Sequence, residues 1–128
     1  MADREYVVTQ FGWDQTDILE YLEVVPEIDE YGVEYRYVVE QPPLRLVLFV
    51  LLSSTVYITI SCDGVDVSII DVEIRDCSGA RVVNNERGNY IEFAAGNLFS
   101  KKYDGASVIP YGLRLYVRPS IRAEFFSV

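Results

Sequence analysis

LRLVLFVLLSSTVYITI, residues 44–60, is the stretch around which the rest of this 128-residue chain is organised. Its first half is apolar at both even and odd positions, so an extended strand here needs cover on both faces. From Thr55 onward apolar and polar residues alternate, which is typical of a strand with one buried face. We therefore expect a central core strand, followed by a strand that buries one side only.

Short alternating runs separated by turn signals recur along the chain, at residues 4–11, 33–40, 65–74, 80–83, 90–93 and 113–125. Two of the turn signals are clear. Gln41-Pro42-Pro43 must break a strand, because proline cannot donate a backbone hydrogen bond, and the polar residues 84–89 predict a hairpin loop. About six to eight strands at this spacing favour a mainly β fold, either an antiparallel β-sandwich or a partly closed barrel.

One short helix near the N-terminus is the exception to the β pattern. Ile18, Leu22 and Val25 recur at helical spacing with Tyr21 beside them, Asp14 is a candidate N-cap, and Pro26 would end the helix. A strand over residues 18–25 is the alternative, because period-two spacing also places Ile18, Leu22 and Val24 on one side.

Asp63-Gly64 lies between two alternating runs and predicts a two-residue type I′ hairpin. That turn would pair Ile60 with Val67 and Ile58 with Ile69. The apolar parity then changes from odd to even, so we expect a β-bulge at Ile69-Ile70 that brings Val72 opposite Val56.

The same register places the two cysteines far apart. Cys62 would lie beside the turn and Cys77 roughly 35–40 Å along the other arm, whereas a disulfide needs Cα atoms within about 7 Å. We expect two free thiols, as in a reducing compartment, with Cys62 in particular buried.

The last alternating run carries a row of basic and aromatic residues on one side. Arg114, Tyr116, Arg118 and Arg122 all occupy even positions, while the odd positions from Leu113 to Phe125 are apolar. Pro119 within this pattern indicates an edge strand, or two strands joined by a bend. The row is a candidate binding site for an anion or carbohydrate, although arginines on an edge strand also simply prevent aggregation.

The net charge of −9 belongs entirely to the N-terminal third. Residues 1–43 hold eleven acids and two bases, whereas residues 44–128 hold nine of each. Such a segment repels phosphate and attracts basic surfaces, so we expect no nucleic-acid partner. Our candidate partner-binding residues are acids on the outer side of the predicted helix and in the acidic connection after it: Glu20, Glu23, Glu27, Asp29 and Glu30.

Length and hydropathy favour one cytoplasmic domain, with residues 1–43 as an acidic region packed on a β core of residues 44–128. The longest apolar run, residues 46–52, is far short of the roughly 20 residues that a membrane span needs. The first residues lack the basic and apolar regions of a signal peptide, so we expect no membrane association.

Catalytic chemistry has little support in this composition. The chain has no histidine, two isolated cysteines and no glycine-rich phosphate loop, so we expect neither a metal nor a cofactor, and no enzyme activity. A hydrolase that uses two carboxylates is the third-ranked hypothesis, because glycosidic chemistry needs no histidine.

Our first hypothesis is a non-catalytic interaction module, an inhibitor or immunity-like protein that binds a basic protein through its acidic N-terminal region. The second is a small-ligand module that uses the arginine row. A further alternative is that the arginine row receives the acidic third, either within one molecule or across a homodimer.

Overall fold

The computed structural model describes residues 4–8, 15–51, 55–75, 77, 80–95 and 111–127, with side chains from residue 18 onward. In chain order these residues form β1 (Arg4–Val8), α1 (Gln15–Leu22), β2 (Glu27–Ile28), β3 (Glu34–Gln41), β4 (Leu44–Leu51), β5 (Thr55–Cys62), β6 (Ile70–Ile74), β7 (Ala80–Asn85), β8 (Gly88–Ala94), β9 (Tyr111–Tyr116) and β10 (Arg122–Ser127).

The strands form two antiparallel sheets. The first sheet has the order β1-β7-β8-β9-β10, and the second has the order β2-β3-β4-β5-β6. Side chains from the inner faces of both sheets meet in one apolar core, which includes Leu48 and Ile58 from the second sheet and Phe93 and Leu113 from the first. The mainly β fold is confirmed, and the described strands form a β-sandwich rather than a closed barrel.

The central position of β4 is also confirmed, since it lies between β3 and β5 in the middle of the second sheet. Leu46, Leu48 and Val50 are fully buried. The expectation of cover on both faces was wrong, because Val47 and Phe49 on the outer face are only partly buried. Cross-strand packing shields the outer face in part, as where the rings of Phe49 and Tyr57 meet edge to face at 6.3 Å.

The helical interpretation of the N-terminal segment is correct, and the strand alternative is not. Ile18, Tyr21 and Leu22 are buried against the core. The helix ends at Leu22, well before Pro26, and Val25 is 80% exposed rather than on the buried face. The predicted N-cap lies outside the described residues. None of the described helices is long and apolar enough to cross a membrane.

Two turns lie where the sequence placed them. Gln41 pairs with Leu44 across the two prolines, and Asn85 pairs with Gly88 in the second hairpin. The strand predicted over residues 4–11 is present as β1, and the part of it beyond residue 8 is outside the described residues.

The connection from β5 to β6 differs from the prediction. The amide of Val65 donates to the carbonyl of Cys62 at 3.1 Å, but of the two turn residues only Gly64 has a positive φ, so the turn is not type I′. Ile60 pairs with Ile70, and a loop over residues 63–69 replaces both the tight hairpin and the bulge. The even-position parity of β6 was nevertheless right, because it is set by burial in the core.

Both cysteines are free, as predicted. The buried one is Cys77, however, and Cys62 is partly exposed. The reason is that Cys62 lies at the end of β5, where the strand leaves the core and the loop of residues 63–69 begins.

The proline near the C-terminus lies in a bend, so β9 and β10 are two antiparallel neighbours rather than one strand, and β10 is an edge. The side chain of Gln41 holds this bend from the second sheet. Its amide nitrogen donates to the carbonyl of Val117, and the amide of Ile121 donates to its Oε1 at 2.8 Å. One side chain therefore ties the two sheets together at this corner.

Candidate functional site

The candidate partner-binding acids lie in one continuous segment of the chain, which passes from α1, on the first sheet, to the β2 edge of the second sheet. They run from the end of α1, through edge strand β2, to the turn that precedes β3. We call residues 20–34 the acidic edge. Glu20, Glu23, Glu27 and Glu30 are exposed, and Asp29 is partly buried.

The acidic edge also exposes large apolar side chains, which sequence reasoning missed. Val25 is 80% exposed, Ile28 53%, Tyr31 78% and Val33 42%. Exposed apolar groups surrounded by charge are typical of protein-binding surfaces, and tyrosine is enriched among the residues that dominate binding energy. Ile28 and Tyr31 belong to neither predicted period, and that was the available signal. Val25 and Val33 gave none, because they fit the predicted helix and the predicted strand.

Asp29 shapes the turn that presents Tyr31. Its Oδ1 accepts hydrogen bonds from the amides of Val33 at 2.8 Å and Glu34 at 3.0 Å. Its own carbonyl accepts from the amide of Gly32, which has a φ of 68°. Although desolvation opposes the effect, these N–H donors lower the pKa of the Asp29 carboxyl. The role of Asp29 within the chain is therefore to hold a fixed turn.

The remaining acids of the edge fall into two groups. Glu23 binds Arg118 at 2.6 Å, and Glu27 lies 3.4 Å from Arg36. Glu20 and Glu30 form no ion pair with any side chain that the structure describes. These two carboxylates are consequently the ones most available to an external basic group.

The arginine row is brought together differently from the prediction. β9 carries Arg114 and Tyr116, Arg118 lies in the bend, and Arg122 begins β10 on the neighbouring strand. The expected contact between this row and the acidic third is present within the molecule at one point, since Arg118 binds Glu23 and also donates to the carbonyl of Tyr21.

The outer face of the first sheet carries a line of alternating charges, which we call the charge ladder. Arg81, Glu92, Arg114 and Glu124 are direct cross-strand partners on β7, β8, β9 and β10. Glu92 accepts from the Nε of Arg81 at 2.8 Å and from the Nε of Arg114 at 2.7 Å. The guanidinium of Arg114 also lies 3.4 Å from the carboxylate of Glu124. Each buried charge in the ladder thus has an opposite neighbour.

Aromatic groups complete this face. The Tyr116 hydroxyl donates to Glu124 at 2.9 Å, and burial together with that bond raises the pKa of Tyr116 to about 12. The guanidinium carbon of Arg122 lies 3.8 Å from the centroid of the Tyr116 ring, and that of Arg114 lies 4.1 Å from the ring of Phe126. An external anion would have to compete with these contacts.

Two carboxylates, Glu92 and Glu124, meet at Arg114. Burial favours protonation of Glu124, but the hydrogen bonds from Tyr116 and Arg114 outweigh it and lower the pKa of Glu124. Glycosidic chemistry needs one carboxyl that stays protonated to act as the acid. The arrangement at Arg114 instead suits two carboxylates that accept hydrogen bonds from arginine.

The sequence matches no protein-family model, and no curated protein matches it. Its structure is similar to a chain of the contact-dependent growth inhibition toxin–immunity protein complex from Klebsiella pneumoniae 342. The two chains align with a TM-score of 0.67 and 16% sequence identity over 88% of this chain and 92% of the other. At that identity the likeness shows a shared fold, and the shared fold is nearly the full length of both chains.

Proposed function

We propose that this chain is a non-catalytic protein-binding module that recognises a basic protein through its acidic edge, as an immunity protein binds a toxin. The observation that carries the proposal is the coincidence of exposed apolar and acidic side chains at the acidic edge. Tyr31 and Val25 supply apolar area, and Glu20 and Glu30 supply charge that the described part of the chain leaves unpaired.

Physical chemistry assigns the two kinds of residue different roles. The carboxylates raise the rate of encounter with a basic surface and disfavour acidic competitors. Burial of the exposed tyrosine and aliphatic side chains then supplies most of the affinity. A small module of this kind needs no catalytic group.

The structural likeness adds independent support, because it relates this fold to a complex whose two members are a toxin and an immunity protein. We place the module in the cytoplasm, where its two thiols stay reduced. Its partner is then a protein that is present in the same compartment.

The test begins by cross-linking the tagged chain in its host cells, identifying the partner by mass spectrometry and purifying it. Calorimetric titration then compares the wild type with the triple variant E20Q/E27Q/E30Q. Each substitution removes an attraction of about 0.5–1 kcal/mol between a carboxylate and a basic group of the partner. We therefore expect the triple variant to bind roughly 10-fold to 100-fold more weakly.

A matched control replaces three exposed acids elsewhere, as D63N/D66N/E86Q, and changes the net charge by the same amount. Its binding should stay within about threefold of wild type at moderate salt, because distant charges are screened. Equal losses for the two triple variants would show that only overall charge matters and would contradict a specific acidic edge. If the partner is toxic when expressed alone, co-expression of this chain should restore growth, and the E20Q/E27Q/E30Q variant should restore it less.

A further inference from the structure

The outer face of the second sheet presents an ordered set of side chains, most of which lie outside the acidic edge. One cross-strand row spans all five strands, and its members from β2 to β6 are Glu27, Arg36, Phe49, Tyr57 and Glu73. The row therefore has an aromatic centre and a carboxylate at each end.

The apolar centre extends along the neighbouring strands. Val38 pairs with Val47 across β3 and β4, and Leu51 lies two residues beyond Phe49 on the same face. Tyr57 is 38% exposed, and the other members of this strip are partly buried. These outward side chains of β3, β4 and β5, which we call the strip, are thus partly accessible to solvent. The inward side chains of the same strands pack in the core and hold the strands in place.

The two borders of the strip are acidic. Glu27, Glu34 and Glu40 line it on the β2 and β3 side, and Asp71 and Glu73 line it on β6. Three arginines are already matched with carboxylates of these borders, since Arg36 lies 3.4 Å from Glu27, Arg45 lies 3.4 Å from Glu40 and Arg75 lies 4.0 Å from Glu73. The face as a whole is therefore apolar at its centre and net negative at its borders.

This distribution decides which kind of partner fits. A second copy of the chain would bring like charges together at both borders, and nucleic acid or an anionic membrane would be repelled in the same way. A protein with an apolar centre and lysine or arginine at its margins would bury the strip and pair with the carboxylates.

We propose that the outer face of the second sheet docks a basic protein partner and that Phe49 and Tyr57 form the centre of the interface. The inference rests on the proposed function and extends it, because Glu27 belongs both to the acidic edge and to the outer row. Partner contacts would then run continuously from the turn at Tyr31, over β2, to the middle of the sheet.

The test uses the purified partner from the cross-linking experiment and the full chain. F49T and Y57T keep residues that suit a strand but remove the rings, and each should weaken binding about 30-fold or more if the rings are hot spots. D71K reverses one border charge and should weaken binding about tenfold, with a smaller response to salt. E86K, at the turn between β7 and β8, reverses an exposed charge away from this face and should leave binding unchanged.

A footprint on the wild-type chain guards against variants that fold poorly. Hydroxyl-radical oxidation of Phe49 and Tyr57 should fall when the partner is bound, whereas oxidation of Phe125, which is 58% exposed on the other sheet, should not. This inference alone would be overturned if the partner failed to bind E20Q/E27Q/E30Q but bound F49T and Y57T normally, and if it left the oxidation of Phe49 and Tyr57 in the wild-type chain unchanged. Failure to find any partner would overturn both it and the proposed function.

Discussion

Glu92 is the most consequential single charge in the first sheet, and we expect E92Q to destabilise the protein strongly. The carboxylate is 1% exposed and is shared by two guanidinium groups, those of Arg81 and Arg114, whose side chains are 9% and 14% exposed. Glutamine keeps the volume but removes the charge. It also turns an NH2 group toward one of two arginine donors.

The magnitude follows from the burial of the ladder. Removing one partner of a buried ion pair typically costs about 3–5 kcal/mol, because the opposite charge is left in a medium that solvates it poorly. Arg114 retains Glu124, at 3.4 Å, which reduces the loss, so we expect about 3 kcal/mol for E92Q. That is a large part of the 5–15 kcal/mol that usually stabilises a domain, and it lowers the melting temperature by roughly 10 °C.

Urea unfolding followed by circular dichroism measures this difference directly. E124Q removes a carboxylate that is 32% exposed and should cost only about 1 kcal/mol. E73Q, at an outward position of β6 with a side chain 48% exposed, should stay within about 0.5 kcal/mol of wild type. A loss below about 1 kcal/mol for E92Q would refute the view that the ladder is a tightly coupled buried network.

Three further predictions concern the contacts that join the elements. Q41A removes both hydrogen bonds to the bend between β9 and β10 and should cost about 1–3 kcal/mol in the same urea assay, whereas a cost near zero would show that the bend holds itself. Y21F removes the hydroxyl that donates to the carbonyl of Asn89 at 2.7 Å and should cost about 1–2 kcal/mol, with an unchanged stability contradicting a docking role for that hydroxyl. Burial raises the pKa of Tyr21, and that of Tyr116, to about 12, so each hydroxyl favours the folded state only while it is protonated. The contribution of these two hydroxyls to the free energy of unfolding should therefore be complete below pH 10 and fall as the pH rises from 10 to 12. Urea midpoints that do not change across this window would contradict the assignment.

Local periodicity accounts for what the sequence predicted correctly. Alternation identified the β class, helical spacing identified α1, and turn residues located the hairpins at residues 42–43 and 86–87. The distribution of charged residues along the sequence located the acidity in the N-terminal third. These features depend on residues that are close in the sequence, so a single chain reveals them.

The sequence could not determine which outward faces are covered and which distant strands are neighbours. The apolar outer positions of β4 predicted that this strand is buried on both faces, yet Val47 and Phe49 are only partly buried. On the first sheet, by contrast, an outer position that carries a charge is buried, since Glu92 lies between two arginines. Likewise, alternation gave the parity of β6 but not the loop of residues 63–69 that precedes it.

The order of residues along the chain was enough by itself to predict a mainly β protein with two free thiols and an acidic N-terminal third. Tertiary structure alone decided that Arg81, Glu92, Arg114 and Glu124 form one ladder, and that Tyr31 and Val25 stay exposed beside the acids. The physical reason is that side-chain periodicity fixes only which residues share a face. Strand order and sheet packing decide what that face meets.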